Sequence, residues 1–493
     1  MRRATGSRTR SGARAASAVS SEVQPPGSLQ PSALHPWSVL AIAVAAISPT
    51  TSVFLIFGGD LASSGTGIVW AFLIGAVIAL AMALCYAEVG SVFPSAGGTY
   101  TIVRRALGPV PGGVVNILFL VLGLTATSAI LVAAATYLSS LVPGGIPTNW
   151  AAFAMMVLIT ALSIERIGPT GWVTSFMLVL ELAVILVFTV FCFAHVSLVS
   201  NPLSHPVLAG SKPGVLQPVG WAALLAGVVP ALFAFNGYDW PLYFAEETSS
   251  ARRVLPRAVL VAAVISVVVE VAAVVGATLA IRDLPRTVAA SAPLTLIAHQ
   301  VMGPVGADIL VAGVVIAMFD TGLAGNLGYA RIFYAAGKDR MWPGSLNRLF
   351  AHVGPSRVPV YGFGVLFVGN SILCIFSSLN NLITFTGVVI VIIYLLVALS
   401  AVVQRVRDRN LARALVMPLW PLAPVVALVG VAVALTQQSA RDLEIAFGIA
   451  VASLVVYGAV RSRLPGRLER SPSDTGPTWE AAAAEPAREK HLA

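Results

Sequence analysis

The chain has 493 residues, of which 57% are hydrophobic and only 10% are charged. Because soluble globular proteins carry about 25% charged residues, this composition excludes a disordered chain, a collagen-like chain and almost any soluble enzyme. The formal net charge of +9 does not indicate nucleic-acid binding, because the basic residues are scattered between apolar runs. A membrane protein explains them better, since its cytoplasmic loops collect Lys and Arg.

The chain begins with residues 1–36, which are rich in Ser, Ala and Arg and contain one acid, Glu22. A transit peptide has this composition, but we favour a disordered basic cytoplasmic tail. A cleaved signal peptide is disfavoured, because the first apolar run begins only near Trp37 and no cleavage site follows it. Residues 463–493 are polar, with several prolines and mixed charge, and predict a second disordered cytoplasmic tail.

Between the tails lie twelve apolar runs, each long enough to cross a bilayer as a helix of roughly 20 residues. The runs are 38–58, 67–89, 114–141, 148–164, 171–194, 221–245, 256–281, 306–330, 358–378, 382–403, 414–436 and 443–460. If loops alternate sides from an inside N-terminus, the outer loops hold only Lys212, Arg282, Arg286 and Arg441, and the other 26 of the 30 Lys and Arg lie inside. This asymmetry predicts an all-α integral membrane protein of the plasma or inner membrane, with both termini in the cytoplasm.

The first and sixth runs are interrupted by proline and polar residues. The first contains Ser-Pro-Thr-Thr-Ser at 48–52, and the sixth contains Phe-Asn-Gly-Tyr-Asp at 235–239, followed by Pro241. Proline removes a backbone hydrogen bond, and in lipid the freed backbone groups must find other partners. Interrupted helices at matching positions in two halves of a chain indicate a transporter substrate site. A pair of proline kinks without a site is the alternative.

Three stretches resemble diagnostic motifs of the amino acid–polyamine–organocation permeases. Residues 85–109 contain Glu88, then a proline, Gly-Gly-x-Tyr, two arginines and Gly-Pro. Residues 233–258 run from Phe-Ala-Phe-Asn-Gly-Tyr-Asp to Glu-Glu and then Leu-Pro-Arg-Ala. Residues 330–343 read Ala-Arg-Ile-Phe-Tyr-Ala-Ala-Gly-Lys-Asp-Arg-Met-Trp-Pro. The resemblance extends over roughly residues 37–460.

This resemblance implies a LeuT-like fold of twelve transmembrane helices, built as two inverted five-helix repeats plus two C-terminal helices. The transporter domain is then expected at 37–462. Repeat one covers about 37–195, repeat two about 220–405, and the extra helices about 412–462.

The resemblance also implies where substrate binds. Phe233 matches the family's aromatic gate, which closes over bound substrate, and Phe235, Asn236 and Gly237 match the unwound part of the sixth helix. Many members have Gly-Ser-Gly in the first helix, where this chain has Thr-Thr-Ser at 50–52; the larger residues crowd a carboxylate but add hydroxyl donors. An amino acid is therefore one expected substrate, and an amine or polyamine the other. The predicted substrate-binding residues are Ser48, Thr50, Thr51, Ser52, Phe233, Phe235, Asn236, Gly237 and Tyr238.

Ionisable residues at membrane depth are costly and usually functional. Glu181 resembles a position where many members carry a lysine that takes part in proton coupling, so it is a candidate proton carrier; a neutral acid bonded within the bundle is the alternative. Thr321 lies near a sodium-coordinating position of related transporters, and Asp320 beside it suits either cation or amine binding, or packing. Asp239 suits a substrate amine or, as we favour, a helix cap. Glu270 has no motif around it.

Another set of charged residues lies at the cytoplasmic helix ends. Glu88, Glu246 and Glu247 are predicted to form an inner gate with Arg104 and Arg331. The alternative is a group of ordinary interfacial salt bridges, which contribute little each.

The sequence contains no P-loop, no metal-ligand spacing among its histidines and no nucleophile–base pair at membrane depth. Its three cysteines lie inside apolar runs and indicate neither a disulfide framework nor a zinc site. We therefore expect no enzyme activity, cofactor or metal. We expect a secondary active transporter that moves an amino acid or related amine by alternating access, coupled to protons or to sodium. An exchanger, a substrate-sensing protein and a channel-like protein on the same fold are the alternatives.

Overall fold

The computed structural model describes residues 35–463 apart from 93, 95–96, 165–170, 198–200, 211–214, 249, 343, 355–357 and 412. For 171–175, 246–247 and 460–463 it describes the backbone alone, and the predicted tails lie outside the described residues except at 35–36 and 463. The α-helices are α1 (Pro36–Ile47), α2 (Pro49–Ser64), α3 (Ile68–Val92), α4 (Gly98–Leu107), α5 (Pro109–Leu141), α6 (Thr148–Ile164), α7 (Gly171–Ala194), α8 (Trp221–Ala226), α9 (Val228–Ala234), α10 (Ala251–Leu279), α11 (Leu284–Ala289), α12 (Pro293–Lys338), α13 (Leu346–Phe350), α14 (Val360–Phe376), α15 (Leu379–Arg407), α16 (Leu422–Thr436) and α17 (Ala440–Arg463). Two 3-10 helices cover Gly65–Gly67 and Trp240–Glu247, and two short strands, β1 (Val207–Ala209) and β2 (Leu216–Pro218), pair antiparallel.

Seven segments of the described chain are long and apolar enough to cross a membrane. They are Pro36–Val92, Pro109–Leu141, Phe176–Ala194, Ala251–Leu279, Pro293–Lys338, Leu379–Arg407 and Ala440–Ala459. The shorter apolar helices are Thr148–Ile164, Trp221–Ala234, Val360–Phe376 and Leu422–Thr436. Every predicted run overlaps one of these segments, and the first two runs both lie in Pro36–Val92, which confirms an all-α membrane protein. Length and composition alone identify the segments, so the number of passes stays a prediction.

For two of the predicted runs, the observed helix has different bounds from those of the run. The eighth run, 306–330, is the central part of α12, which continues back through a kink at Gly303, where φ is 73° and Pro304 follows. The eleventh run, 414–436, becomes helical only at Leu422, since Pro418 and Pro421 interrupt the preceding stretch. In both cases proline removes an amide donor, and the regular helix ends or bends there.

Helices α5 and α12 are the centres of packing. Helix α5 contacts α4, α6, α12, α14, α15 and α17, and helix α12 also contacts α2, α6, α7, α13 and α14. The side chains that face away from the bundle include Val190, Val268 and Ile309, each more than 60% exposed. Such surfaces are costly in water, but lipid tails are as apolar as leucine. The exposed aliphatic faces therefore belong in the bilayer.

The short helix α4 is held at both ends. Its first residue, Gly98, has φ 49°, and a Cβ there would come within 2.2 Å of the Tyr243 ring. Only glycine fits this approach, which accounts for one of the two glycines in the Gly-Gly motif. At the opposite end, Arg407 donates to the carbonyl oxygens of Arg105 and Ala106 at 2.8 and 3.0 Å. The helix thus connects the 3-10 helix at Trp240–Glu247 to the end of α15.

Candidate functional site

The first helix interruption is confined to one residue. Ser48 has φ 50° and lies between α1 and α2, and its carbonyl already accepts from Ser52 N at 2.8 Å. Pro49 begins α2, at a position where its missing N–H would have had no helical partner. Thr50, Thr51 and Ser52, predicted as part of the break, therefore lie in the first turn of α2.

Hydroxyl groups around this break connect the neighbouring helices. Ser52 Oγ lies 2.9 Å from the last carbonyl oxygen of α1 and 2.7 Å from that of α9, so its one O–H is shared between the two acceptors. Thr51 Oγ1 accepts from Ser48 Oγ at 2.6 Å and lies 3.0 Å from Thr321 Oγ1 on α12. The hydroxyls thus satisfy backbone groups that the break leaves open, as a membrane interior requires.

The second interruption, at 235–239, separates α9 from the 3-10 helix at Trp240–Glu247. Gly237 has φ 126°, and a Cβ there would lie 2.9 Å from the backbone of Ile47 at the end of α1. Asn236 Nδ2 donates to Tyr394 Oη on α15 at 2.9 Å. The two breaks are therefore in direct contact, and glycine is what permits so close an approach.

A cavity of about 50 Å³ lies where the two breaks meet. Five predicted residues line it: Thr51, Ser52, Phe233, Asn236 and Thr321. At the roughly 10–15 Å³ that one water needs, the cavity holds about three to five waters. Its described lining consists of hydroxyls, an amide and apolar groups and includes no charged side chain.

Five of the predicted substrate-binding residues lie near the cavity without lining it. These are Ser48, Thr50, Phe235, Gly237 and Tyr238. Phe235 packs edge-on against Phe72, with ring centroids 5.5 Å apart. Tyr238 packs against Tyr86 and Tyr394 at 5.9 and 6.1 Å. These two aromatic residues support the break rather than face the cavity.

Sequence reasoning missed Thr127, Trp240 and Tyr329, which also line the cavity. Trp240 packs edge-on against Tyr329 at 5.5 Å, and a Cβ at Gly328 would come within 1.6 Å of the Trp240 ring. Trp240 directly follows the second break, and Thr127 is one of a few hydroxyl residues in an otherwise apolar run, so each carried a weak signal. Tyr329 carried none.

Asp239 is not the helix cap that we favoured. Its Oδ2 accepts from Tyr243 Oη at 2.8 Å and from Thr99 Oγ1 at 3.3 Å, and it makes no cap bond. Asp239 instead ties α4 to the second break, because a buried carboxylate takes whichever donors surround it. It also lines a second cavity of about 10 Å³, which shares Asn236 and Trp240 with the first.

Glu181 on α7 contacts the first break without lining the cavity. It accepts from Thr50 N at 3.4 Å, and its carbonyl accepts from Thr50 Oγ1 at 2.7 Å. The free N–H groups at the start of α2 favour negative charge at this place. Two further acids lie in membrane-spanning helices, Glu270 fully buried on α10 and Asp320 partly buried on α12. Neither carboxylate oxygen of Glu270 has a hydrogen-bond partner among the described residues.

Glu88 pairs with two arginines that the sequence did not single out. Its carboxylate contacts Arg405 and Arg413, the latter at 3.0 Å, and accepts from the backbone N–H of Met417 at 2.8 Å. Of the predicted gate residues, Arg331 lies over the ring of Phe244, 4.8 Å from its centroid. Arg104 is buried in α4. The side chains of Glu246 and Glu247 lie outside the described residues.

Comparison with known proteins matches the family model described as "Amino acid permease" to residues 34–460. The chain is 23% identical over 402 residues to the branched-chain amino acid permease BcaP of Bacillus subtilis (strain 168), covering 77% of this chain and 82% of that protein. It is 27% identical over 311 residues to the low-affinity putrescine importer PlaP of Escherichia coli (strain K12), covering 61% and 64%. It is 25% identical over 362 residues to the cationic amino acid transporter 4 of Mus musculus, covering 69% and 55%.

Proposed function

The chain belongs to the amino acid permease family, and on that basis we propose that it is a proton-coupled secondary active transporter of a small neutral amino acid. The observation that supports this most directly is the cavity between the two touching helix breaks, because interrupted helices at the midplane are where such transporters hold substrate. Transport of an amino acid or amine agrees with the functions that the relatives' names give. The proton coupling and the choice of a small neutral amino acid are our proposals.

The chemistry of the cavity favours a neutral substrate. Thr51, Ser52 and Thr321 offer hydroxyl groups, Asn236 offers an amide, and the described lining contains no carboxylate to neutralise a cationic side chain. The cavity of about 50 Å³ also favours a short side chain. An amine importer is the second candidate, because Asp239 lines the adjoining cavity of about 10 Å³. Its carboxylate is already engaged by two hydroxyls, which counts against that role.

The acids around the first break support proton coupling. Glu181 lies at the start of α2, and any movement of that half-helix changes the donors around its carboxylate. We therefore assign the exchangeable proton to Glu181, with Asp320 as the neighbouring acid. Sodium bound near Thr321 is the other coupling scheme. A conformational change that opens the cavity first to one side of the membrane and then to the other would couple the release of the proton from Glu181 to the release of substrate.

Phe233 is the proposed outer gate, because it lines the cavity from α9 and is 8% exposed. The ion pairs of Glu88 form the proposed inner gate. We place this gate on the cytoplasmic side, with both termini there, in the plasma or inner membrane. The repeats at 37–195 and 220–405, followed by the helices at 412–462, remain the proposed organisation.

Uptake by the purified chain in liposomes tests this function. An inward proton gradient is imposed, and labelled alanine, valine, leucine, lysine and putrescine are supplied separately. We expect saturable uptake of a small neutral amino acid that a protonophore abolishes. If labelled compound entered only those vesicles that were preloaded with the same unlabelled compound, the chain would be an exchanger. Binding without flux would establish a sensor, and a current that does not saturate would establish a channel.

A further inference from the structure

A basic pocket of about 290 Å³ opens where the chain turns from α15 towards α16. Arg405, Arg409 and Arg413 line it, together with Leu411 and Val416. The pocket has no residue in common with the cavity between the helix breaks. It is therefore separate from the substrate cavity, although Arg405 and Arg413 also belong to the proposed inner gate, and Arg409 has no role in that gate.

The pocket carries surplus positive charge. Glu88 is the carboxylate that neutralises it, through contacts with Arg405 and Arg413. Arg409 is exposed, and its guanidinium has no partner among the described residues. Three arginines against one glutamate leave a surplus of two positive charges, which is enough to attract the single negative charge of a phosphodiester.

Two of the three guanidinium groups are already held in place. The side chain of Arg413 is only 7% exposed, and it donates to the backbone carbonyls of Asp408 at 3.0 Å and Gln404 at 3.3 Å. Arg405 lies over the ring of Trp420, 5.3 Å from its centroid. Because these side chains are ordered before a ligand arrives, little further side-chain entropy is lost when an anion binds.

Apolar side chains are exposed in and beyond the pocket. Val416 lines it and is 60% exposed, and the same connection continues to Leu419, 66% exposed, and to Leu422 at the start of α16, 57% exposed. A soluble anion would contact the arginines alone, whereas a phospholipid would also cover these aliphatic side chains. Basic pockets at the ends of membrane helices are suited to phospholipid head groups for this reason.

We propose that this pocket binds the phosphate of an anionic phospholipid, and that the phosphate competes with Glu88 for Arg405 and Arg413. Glu88 also accepts from the N–H of Met417, so it fastens the end of α3 to the α15–α16 connection. A bound head group weakens that link and makes the proposed inner gate sensitive to lipid charge. This consequence for transport rests on the proposed function, but lipid binding does not.

Thermal melting of the purified full chain tests the binding. The protein in neutral detergent is titrated with short-chain phosphatidylglycerol, short-chain phosphatidylcholine or inorganic phosphate. We expect phosphatidylglycerol to raise Tm the most, and salt to weaken its effect. Since one arginine near a membrane surface contributes about 1 kcal/mol, Arg409→Gln should weaken the apparent affinity about fivefold.

A second variant and a matched control show whether the loss of binding is specific to the pocket. Val416→Asp should also weaken phosphatidylglycerol binding, because it places an acid among the residues that line the pocket. Arg348→Gln removes an exposed arginine of α13 and should bind as the wild type does. Equal stabilisation by phosphatidylcholine, or unchanged affinity in Arg409→Gln, contradicts the site. Equal stabilisation by inorganic phosphate assigns the pocket to a soluble anion and overturns the lipid.

Melting requires no substrate, so its result is independent of whether the chain is proton-coupled. Uptake in liposomes with and without phosphatidylglycerol then tests the competition with Glu88. We expect at least a twofold difference in rate for the wild type, and for Arg409→Gln a smaller difference that needs more phosphatidylglycerol to reach the same size. The same lipid effect in both proteins would overturn the regulatory step while leaving proton-driven uptake itself intact.

Discussion

At the scale of single residues, Phe233 is the side chain whose truncation should affect substrate retention most directly. Phe233→Ala should raise KM for uptake about tenfold, since losing roughly 1.4 kcal/mol of apolar contact with the substrate changes affinity by that factor. The liposome assay measures it, with release of trapped substrate as a second readout. Phe447→Ala is the control, because that ring is 68% exposed on α17. An unchanged KM with unchanged release would remove the gate role.

Gly237 should tolerate no side chain. Its φ of 126° and the 2.9 Å approach to Ile47 predict that Gly237→Ala destabilises the fold by about 1–3 kcal/mol and abolishes uptake. Gly364→Ala is the matched control, because it lies in α14 with open space around it and should melt as the wild type does. Thermal melting and uptake are measured on both. If the two variants melt alike, the contact between the breaks is not tight.

Glu270 is the buried acid without a described hydrogen-bond partner. Removing an unpaired buried polar group relieves its desolvation cost, so Glu270→Leu should raise Tm by about 1 °C per kcal/mol gained in a chain of this length. Glu181→Leu should lower Tm instead, because Glu181 accepts from Thr50 N. Melting curves of the wild type and the two variants in the same detergent measure the direction of each change in Tm. A lower Tm for Glu270→Leu would mean that a partner outside the described residues holds the carboxylate.

At the scale of elements, the proposed proton coupling depends on the contact between α7 and the start of α2. Glu181→Gln keeps the shape of the side chain but cannot exchange a proton. We expect it to lose proton-driven accumulation and to retain exchange of internal for external substrate. Concentrative uptake and counterflow, measured in parallel, separate the two. Retained accumulation with an unchanged pH dependence would move the proton to another group, with Asp320 the next to be tested.

The helices and both breaks could be predicted because each depends on local sequence. Apolar runs of span length and prolines beside glycine or serine act through the backbone of their own segment. The length of a break could not be predicted in this way, because it depends on tertiary contacts. In the first break only Ser48 takes the left-handed conformation, since the Ser52 hydroxyl contacts the open carbonyl oxygens at the ends of α1 and α9. The partners of Glu88 were also beyond reach, since Arg405 lies 317 residues away in sequence. Only packing of α3 against the α15–α16 connection brings them together.

At the scale of the whole molecule, the orientation can be tested with few changes, because Cys85, Cys192 and Cys374 are all buried. The wild type should therefore react little with a membrane-impermeant maleimide in intact cells. Ser291→Cys, at an exposed position in a predicted outer loop, should be labelled directly. Asn410→Cys, at an exposed position in a predicted inner loop, should be labelled only after permeabilisation. The reverse pattern would invert the predicted topology.

The two anchored ends of α4 have a mechanical consequence. One end abuts Tyr243 of the 3-10 helix through Gly98, and the other is held by Arg407 at the end of α15. Eight of the ten residues of α4 are buried, so the helix has little room to move independently of these two neighbours. A shift of the 3-10 helix beside the second break is therefore expected to reach the end of α15.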